Sequence, residues 1–299
     1  VLRHPASFAH GSFAFNAHLN ADGTPNEANV QSTVTIDRRE IVPSYREARD
    51  PYHLTRGGAL GRVHRGFTLL RLSGRILVPN VGQAAAISDK ERAMLAAFDP
   101  ELCAIDSPST DGAYAFDFSE PTDDTTTYPT GRIDLRYWAR PMSQPTMVEE
   151  LAEAGVRRYV LGLIAADPRA YERTEQTLAL TPASPSGNVV NRGTARAPLK
   201  ATIVMGGAGA SNFTIQRSSV SFVLDLSGMT GGDTVVVVFE TCAPYGAGRK
   251  ITKNGSNAFS LKTSGPATWL DVPPGTTSFA ISNHSNVTSC TLGWYSARA

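Results

Sequence analysis

The chain has 299 residues, beyond the size at which one hydrophobic core usually stops growing, so two domains are expected. Only 18% of residues are charged and 41% are hydrophobic, with 26 Gly and 19 Pro, a composition that points to a turn-rich, mainly β protein. A formal net charge of +1 excludes the strong basic excess of a dedicated nucleic-acid binder and gives no reason to expect an anionic membrane as partner.

No apolar run approaches the roughly 18 residues of a membrane-spanning helix. Residues 1–20 hold three His and two Asn and lack the pattern of a secretory signal. The three cysteines, Cys103, Cys242 and Cys290, are odd in number and scattered, without CxxC or Cys/His ligand spacing. They read as reduced thiols of a cytosol-made protein, with no zinc site.

Early in the chain Asp22-Gly23 marks a turn, and "STVTIDR" alternates as a strand with one buried face. "RGFTLLRLSGRILVP" reads as a strand pair bent around Ser73-Gly74 and ended by Pro79. The period then changes. "SDKERAMLAAFDP" predicts a helix with Ser88 as N-cap, Glu91 completing a capping box, Met94, Leu95 and Phe98 on one face, and Pro100 as the stop. "DGAYAFDFSE" and "RIDLRYWAR" alternate as strands, the second with Ile133, Leu135 and Tyr137 on one face, and the acidic "PTDDTTTYPTG" loop lies between them. A second helix is predicted at "TMVEELAEAG", capped by Thr146 with Glu149 and stopped by Gly155. "RRYVLGLIAADPRAYE" is a long, mostly buried strand that halts at Asp167-Pro168.

From residue 176 the character is all-β. "PASPSGNVVNRGTARAP" is a linker or edge segment. Strands follow at "LKATIVM", "SNFTIQR", "SVSFVLDL", "DTVVVVFE", "RKITKNGSNAFSLK", "SFAIS" and "CTLGWYSA". Asn254-Gly255 is a strong hairpin signal and Gly231-Gly232-Asp233 a second tight turn. Seven or eight strands in about 120 residues form a β-sandwich pattern. The domains are therefore read as 1–175 and 176–299.

Each candidate for chemistry has a simpler structural reading. His4, His10 and His18 match no metal-ligand spacing. "MGGAGAS" lacks the Lys-Ser/Thr ending of a phosphate loop and reads as a turn between strands. Asp117, Glu120, Asp123 and Asp124 do not follow the calcium-loop pattern. No G-x-S-x-G elbow is present. Arg56, Arg62, Arg65, Arg71 and Arg75 occur without an acidic neighbour, which suits a solvated or intersubunit face of twisted strands better than a DNA-binding one. Sequons occur at Asn212, Asn254, Asn283 and Asn286. No catalytic, cofactor-binding or metal-ligating residue is nominated.

The order of segments resembles the distal tail protein family of long-tailed (siphovirus-type) bacteriophages. The likeness rests on "GFTLLRLSGRILVP" followed by "DKERAMLAAFDPE", on "RYVLGLIAADPRAYE", on "NRGTARAPLKATIVMGGAGASNFTIQR", and on "ATWLDVPPGTTSFAIS…CTLGWYSARA". It implies an N-terminal split-barrel domain that forms a ring, six copies by family precedent, and a C-terminal galectin-like β-sandwich. It also implies a structural, non-enzymatic virion protein that is assembled in the host cytoplasm. Such a ring joins the tail tube protein to the tail hub protein, docks receptor-binding or side-fibre proteins, and lets DNA pass through its bore without specific binding.

The alternatives are a carbohydrate-binding adhesin module and a glycan-cleaving tail enzyme. Against the first, "HSNVT" supplies His284 and Asn286 but Thr288 where the galectin sugar motif has Arg. Trp269 and Trp294 are expected in a core or corner. Pro273, Pro274 and Gly275 then form an architectural corner that leads into a strand with Phe279 and Ile281 pointing inward, sealed by Trp269 on the preceding strand.

Overall fold

The computed structural model describes residues 8–10, 13–15, 33–47, 63–77, 84–99, 115–148, 156–165, 167–240, 242–245, 248–263 and 269–299. It is mainly β and divides into two compact units, Val1–Pro168 and Arg169–Ala299. His4, His18, the Asp22-Gly23 turn, Arg56, Arg62, Pro79, Pro100, Cys103, Glu149 and Gly155 lie outside the described residues.

The first unit contains β1 (Phe8–His10), β2 (Phe13–Phe15), β3 (Thr33–Val34), β4 (Arg38–Glu47), β5 (Val63–Leu77), α1 (Ala84–Ala97), β6 (Ala115–Pro121), β7 (Arg132–Trp138), β8 (Arg140–Pro141), β9 (Thr146–Val148) and β10 (Val156–Ala165). One antiparallel sheet runs β2-β1-β6-β7. The other runs β3-β5-β10-β8, with β4 also on β5 and β9 also on β10. Period-two patterning sends Leu70, Leu72 and Ile76 of β5, and Tyr159, Leu161 and Leu163 of β10, into a core where each is at most 1% exposed. Phe116 and Phe118 of β6 and Ile133, Leu135 and Tyr137 of β7 are buried as the alternation predicts. The guanidinium of Arg39 on β4 lies over Phe118 and donates to Glu120 on β6 at 2.8 Å, which ties the two sheets together.

Three sequence expectations are corrected here. β5 is one unbroken strand, without a bend at Ser73-Gly74. Gly74 serves close approach instead: a Cβ there would overlap the backbone of Thr35, which lies across the strand. The helix begins at Ala84, so Ser88 is inside it and is not its N-cap. Ala84, Ala85 and Ala86, the best helix formers, extend the helix by a turn. Glu91 on the buried stripe with Ile87, Met94 and Phe98 is an ion-pair partner of Arg157 on β10 at 3.0 Å. Finally, Thr146–Val148 is a strand where a helix start was expected, because pairing with residues 158–160 of β10 overrides the local capping pattern.

The second unit contains β11 (Ala170–Glu172), β12 (Gln176–Leu180), β13 (Ser186–Asn191), β14 (Ala197–Met205), β15 (Phe213–Arg217), β16 (Val220–Leu224), β17 (Thr234–Val238), β18 (Lys250–Lys253), β19 (Ser256–Asn257), β20 (Asp271–Val272), β21 (Gly275–Ser282), β22 (Val287–Trp294) and β23 (Ala297–Arg298). A seven-stranded sheet runs β12-β22-β14-β17-β18-β19 with β20 beside β14, and a four-stranded sheet runs β13-β21-β15-β16. β11 pairs with β23. The expected strands from "LKATIVM" to "CTLGWYSA" are all present, and the Gly/Pro-rich segment before them supplies the edge strand β13.

The two sheets share a core of Leu199, Ile203, Phe213, Phe222, Phe239, Phe279 and Leu292, each fully buried. Asn254 and Gly255 both have positive φ and close the β18–β19 hairpin in two residues. Gly275 has φ +87°, as the Pro-Pro-Gly corner requires. Trp269 lies outside any strand, contrary to expectation, but it does seal the region, packing on Phe222, Phe239 and Phe259 with the Arg249 guanidinium 5.0 Å from its ring.

Candidate interaction surface

The acidic residues flagged in the sequence are used in local structure. Asp117 accepts two bonds from Arg136, at 2.5 and 2.8 Å, and Glu120 is held by Arg39. Asp124 accepts from the Thr127 amide at 3.0 Å within the β6–β7 loop. Asp123 is exposed. Among the described residues no three His, Cys, Asp or Glu side chains cluster closely enough to hold a metal.

The glycines of "MGGAGAS" serve packing. The Gly206 amide donates to the Asn286 carbonyl at 2.6 Å, and a Cβ on Gly209 would stand 2.8 Å from Leu226. Three of the sequon asparagines, Asn254, Asn283 and Asn286, occupy positive-φ turn positions that suit Asn. Asn283 and Asn286 also donate to the carbonyls of Asn212 and Ala208, at 3.1 and 2.7 Å. "HSN" is thus a stapled turn between β21 and β22. Trp294 is buried and its indole Nε1 donates to the Val190 carbonyl at 3.0 Å, linking the two sheets of its unit. Cys242 and Cys290 are buried thiols outside any disulfide, and burial pushes the Cys290 thiol up to about 12.

What stands out is the outward face of the β4–β5–β10 sheet. Directly opposed residues of antiparallel strands share a face, so the registers define its rows. Val42, Leu69 and Ile164 form one row, half-buried and apolar. Glu40, Arg71 and Gly162 form the next, where a Cβ on Gly162 would stand 3.7 Å from the Met142 sulfur. Arg38, Ser73, Val160 and Thr146 follow, then Arg75, Arg158 and Val148.

Met142, Val160 and Val148 are 55%, 47% and 41% exposed, three of the five large hydrophobics exposed among the described residues. They stand among exposed arginines, and only Glu40 opposes that charge within these rows, while Arg75 is paired with Asp37 at 2.7 Å just beyond β3. Arg38, Glu40, Arg71, Ser73 and Val160 line a shallow depression of about 190 Å³ on this face. An open apolar surface edged by guanidinium groups has the chemistry of a protein interface, where Arg is enriched and a flat contact needs no cleft. The sequence placed Arg71 and Arg75 on such a face. It did not reveal Val148 or Met142, which lay in and beside a predicted helix.

No family model matches the chain, and no curated protein matches it in sequence. Among solved structures its fold is similar to phage tail-tip proteins. The similarity is to the SPP1 Dit (gp 19.1) protein, described as a paradigm of the hub adsorption apparatus in phages that infect Gram-positive bacteria. It has a TM-score of 0.57 and 13% identity over 88% of this chain and 93% of that one. A second similarity is to the phage P2 baseplate in its activated conformation with Ca, at TM-score 0.42 and 6% identity over 91% of this chain and 92% of that one.

Proposed function

We propose that this chain is a distal tail protein of a long-tailed phage, a structural component of the tail tip that works by geometry and carries no catalysis. On this reading the N-terminal domain, residues 1–175, is the ring-forming split barrel, and six copies close around a channel. The C-terminal domain, residues 176–299, is the galectin-like sandwich that docks receptor-binding or side-fibre proteins. The ring joins the tail tube protein to the tail hub.

The observation that supports the reading is the likeness to SPP1 Dit, which extends over most of both chains. The arginine-edged apolar sheet face fits the same role, since identical subunits close a ring only through contacts between unlike faces. A near-neutral chain also suits a bore through which DNA slides, because each cationic contact strengthens phosphate binding.

Light scattering on the purified chain, followed by negative-stain imaging, tests the reading. Closed rings with the mass of about six copies are expected, alone or with the tail tube protein. A chain that stays monomeric at all concentrations, with and without that partner, overturns it.

A further inference from the structure

We propose that the outward face of β4, β5 and β10 is the surface that closes the ring, and that its occupant is the β6–β7 hairpin loop of a second copy of this chain. The inference rests on the ring reading above and assigns it a specific contact.

The argument is one of size and charge. Along β5 the face spans Leu69 to Leu77, about 27 Å at 3.4 Å per residue, and from β4 across β5 and β10 to β9 it is three strand spacings wide, about 14 Å. The resulting footprint, with its arginines and Glu40 included, is about 400 Å², about half of one side of a standard protein contact. It is of the right order for one side of a contact that draws further surface from its rim.

The charge is one-sided. Arg38, Arg71 and Arg140 are exposed on this face and make no ion pair among the described residues. The chain as a whole carries only +1, so acidic surface must lie elsewhere on it to balance them. In the same unit the β6–β7 loop is such a surface. It presents an exposed Asp123 beside Asp124, with no Lys or Arg between Pro121 and Arg132.

The loop is also pre-shaped. Thr122 donates to Gly131 at 2.9 Å, Tyr128 to Asp124 at 3.1 Å and Gly131 to Tyr128 at 2.8 Å, all through backbone groups. A loop already ordered in the free chain loses little entropy on binding. Because loop and sheet face belong to different strands of one unit, a contact between them on two copies joins unlike surfaces. Such contacts run head to tail and close into a ring when the rotation permits.

The test uses two full-length variants that invert one side each. Arg38→Glu with Arg71→Glu makes the stretch around Glu40 acidic, and Asp123→Lys places a cation in the loop beside Asp124. All three residues are exposed, so thermal melting should match the parent protein and any failure to fold is visible there. Each variant alone is expected to shift the assembly midpoint by at least about tenfold in concentration, because like charges now meet. Mixed in equal amounts the two are expected to form rings again, since strict alternation makes every contact complementary. The conservative Arg71→Lys variant should assemble as the parent does.

If the parent forms rings and either charge-inverted variant does so equally well alone, this contact is wrong while the ring reading stands. Failure of the mixture to assemble, when both variants fail alone, also overturns the pairing. A parent protein that never forms rings sinks both.

Discussion

The buried phenol of Tyr159 on β10 donates to the backbone carbonyl of Thr35, which lies beyond β3, at 2.6 Å. Gly74 of β5, directly opposite Tyr159 in the register, leaves room for that carbonyl. Thr35 also donates its amide to the Arg75 carbonyl at 2.7 Å, so the segment is fastened on both sides. Tyr159→Phe removes the donor and leaves a buried carbonyl unsatisfied, which should cost about 1–3 kcal/mol. Gly74→Ala should cost about 3 kcal/mol or more, since a methyl there collides with backbone rather than with a movable side chain. Urea unfolding of the two variants checks the order: the glycine variant must be the less stable.

In the second unit Asn191 plays the corresponding part with its side chain. Its amide nitrogen donates to the carbonyls of Ala195 and Val272, at 2.7 and 2.9 Å, and its oxygen accepts from the amides of Gly193 and Ala297, at 3.0 and 3.3 Å. It is 1% exposed, so all four bonds are sheltered from water. Asn191→Ala should destabilise this unit by about 3 kcal/mol or more, because several buried groups lose partners at once. Hydrogen exchange should show the loss of protection at Gly193 and Ala297 first.

Alkali should destabilise both units. Burial raises the Cys290 thiol from its ordinary 9.0 to about 12. It also drives the phenols of Tyr159 and Tyr245 well above their ordinary 10.0, with the nearby charges of Asp37 and Glu175 adding to the effect. Each group stays neutral in the folded chain after its unfolded counterpart has ionised. Their contribution is therefore complete below pH 9 and drains away as pH rises towards each folded value. Urea midpoints measured between pH 8 and 12 should fall steadily, and Tyr159→Phe should flatten the decline of the first unit.

Acid acts through Asp233. Its carboxylate receives Lys253 at 2.8 Å, the Thr230 amide at 2.8 Å and hydroxyl at 2.9 Å, and the Asn254 side chain at 2.8 Å. These hold it well below its ordinary 3.8, the Lys253 bond contributing most. The stability this group confers is complete above that ordinary value and is lost as pH falls below it. Asp233→Asn should lower stability at pH 7 and flatten the acid limb of the second unit's stability curve. An unchanged acid limb would contradict the assignment.

Legibility from sequence followed the range of the interaction. β7 was readable because Ile133, Leu135 and Tyr137 alternate with charged residues and bury one face, a pattern any half-buried strand must show. The Asn254-Gly255 hairpin was readable because its backbone needs two positive-φ residues in succession. Ser88 and Thr146 misled for one reason: capping signals are short, and a run of alanines or a neighbouring strand outweighs them. Ser73-Gly74 misled because a glycine that admits another chain segment looks, in one dimension, like a glycine that turns.

The candidate surface divides in the same way. Arg71 and Arg75 could be placed on an exposed strand face from their spacing alone. That Val148, Val160 and Met142 join them is a consequence of register, which brings β9, β10 and the residue after β8 together. Local pattern settled the mainly β class, most strands and the tight turns, because those depend on backbone preferences within a few residues. Only the folded chain decided which glycines admit a crossing segment, which carboxylates are paired and which arginines stand beside exposed apolar groups. Those outcomes join residues distant in the chain, 19 positions apart for Asp117 and Arg136 and 81 for Arg39 and Glu120, so a short window of sequence does not show which partners meet.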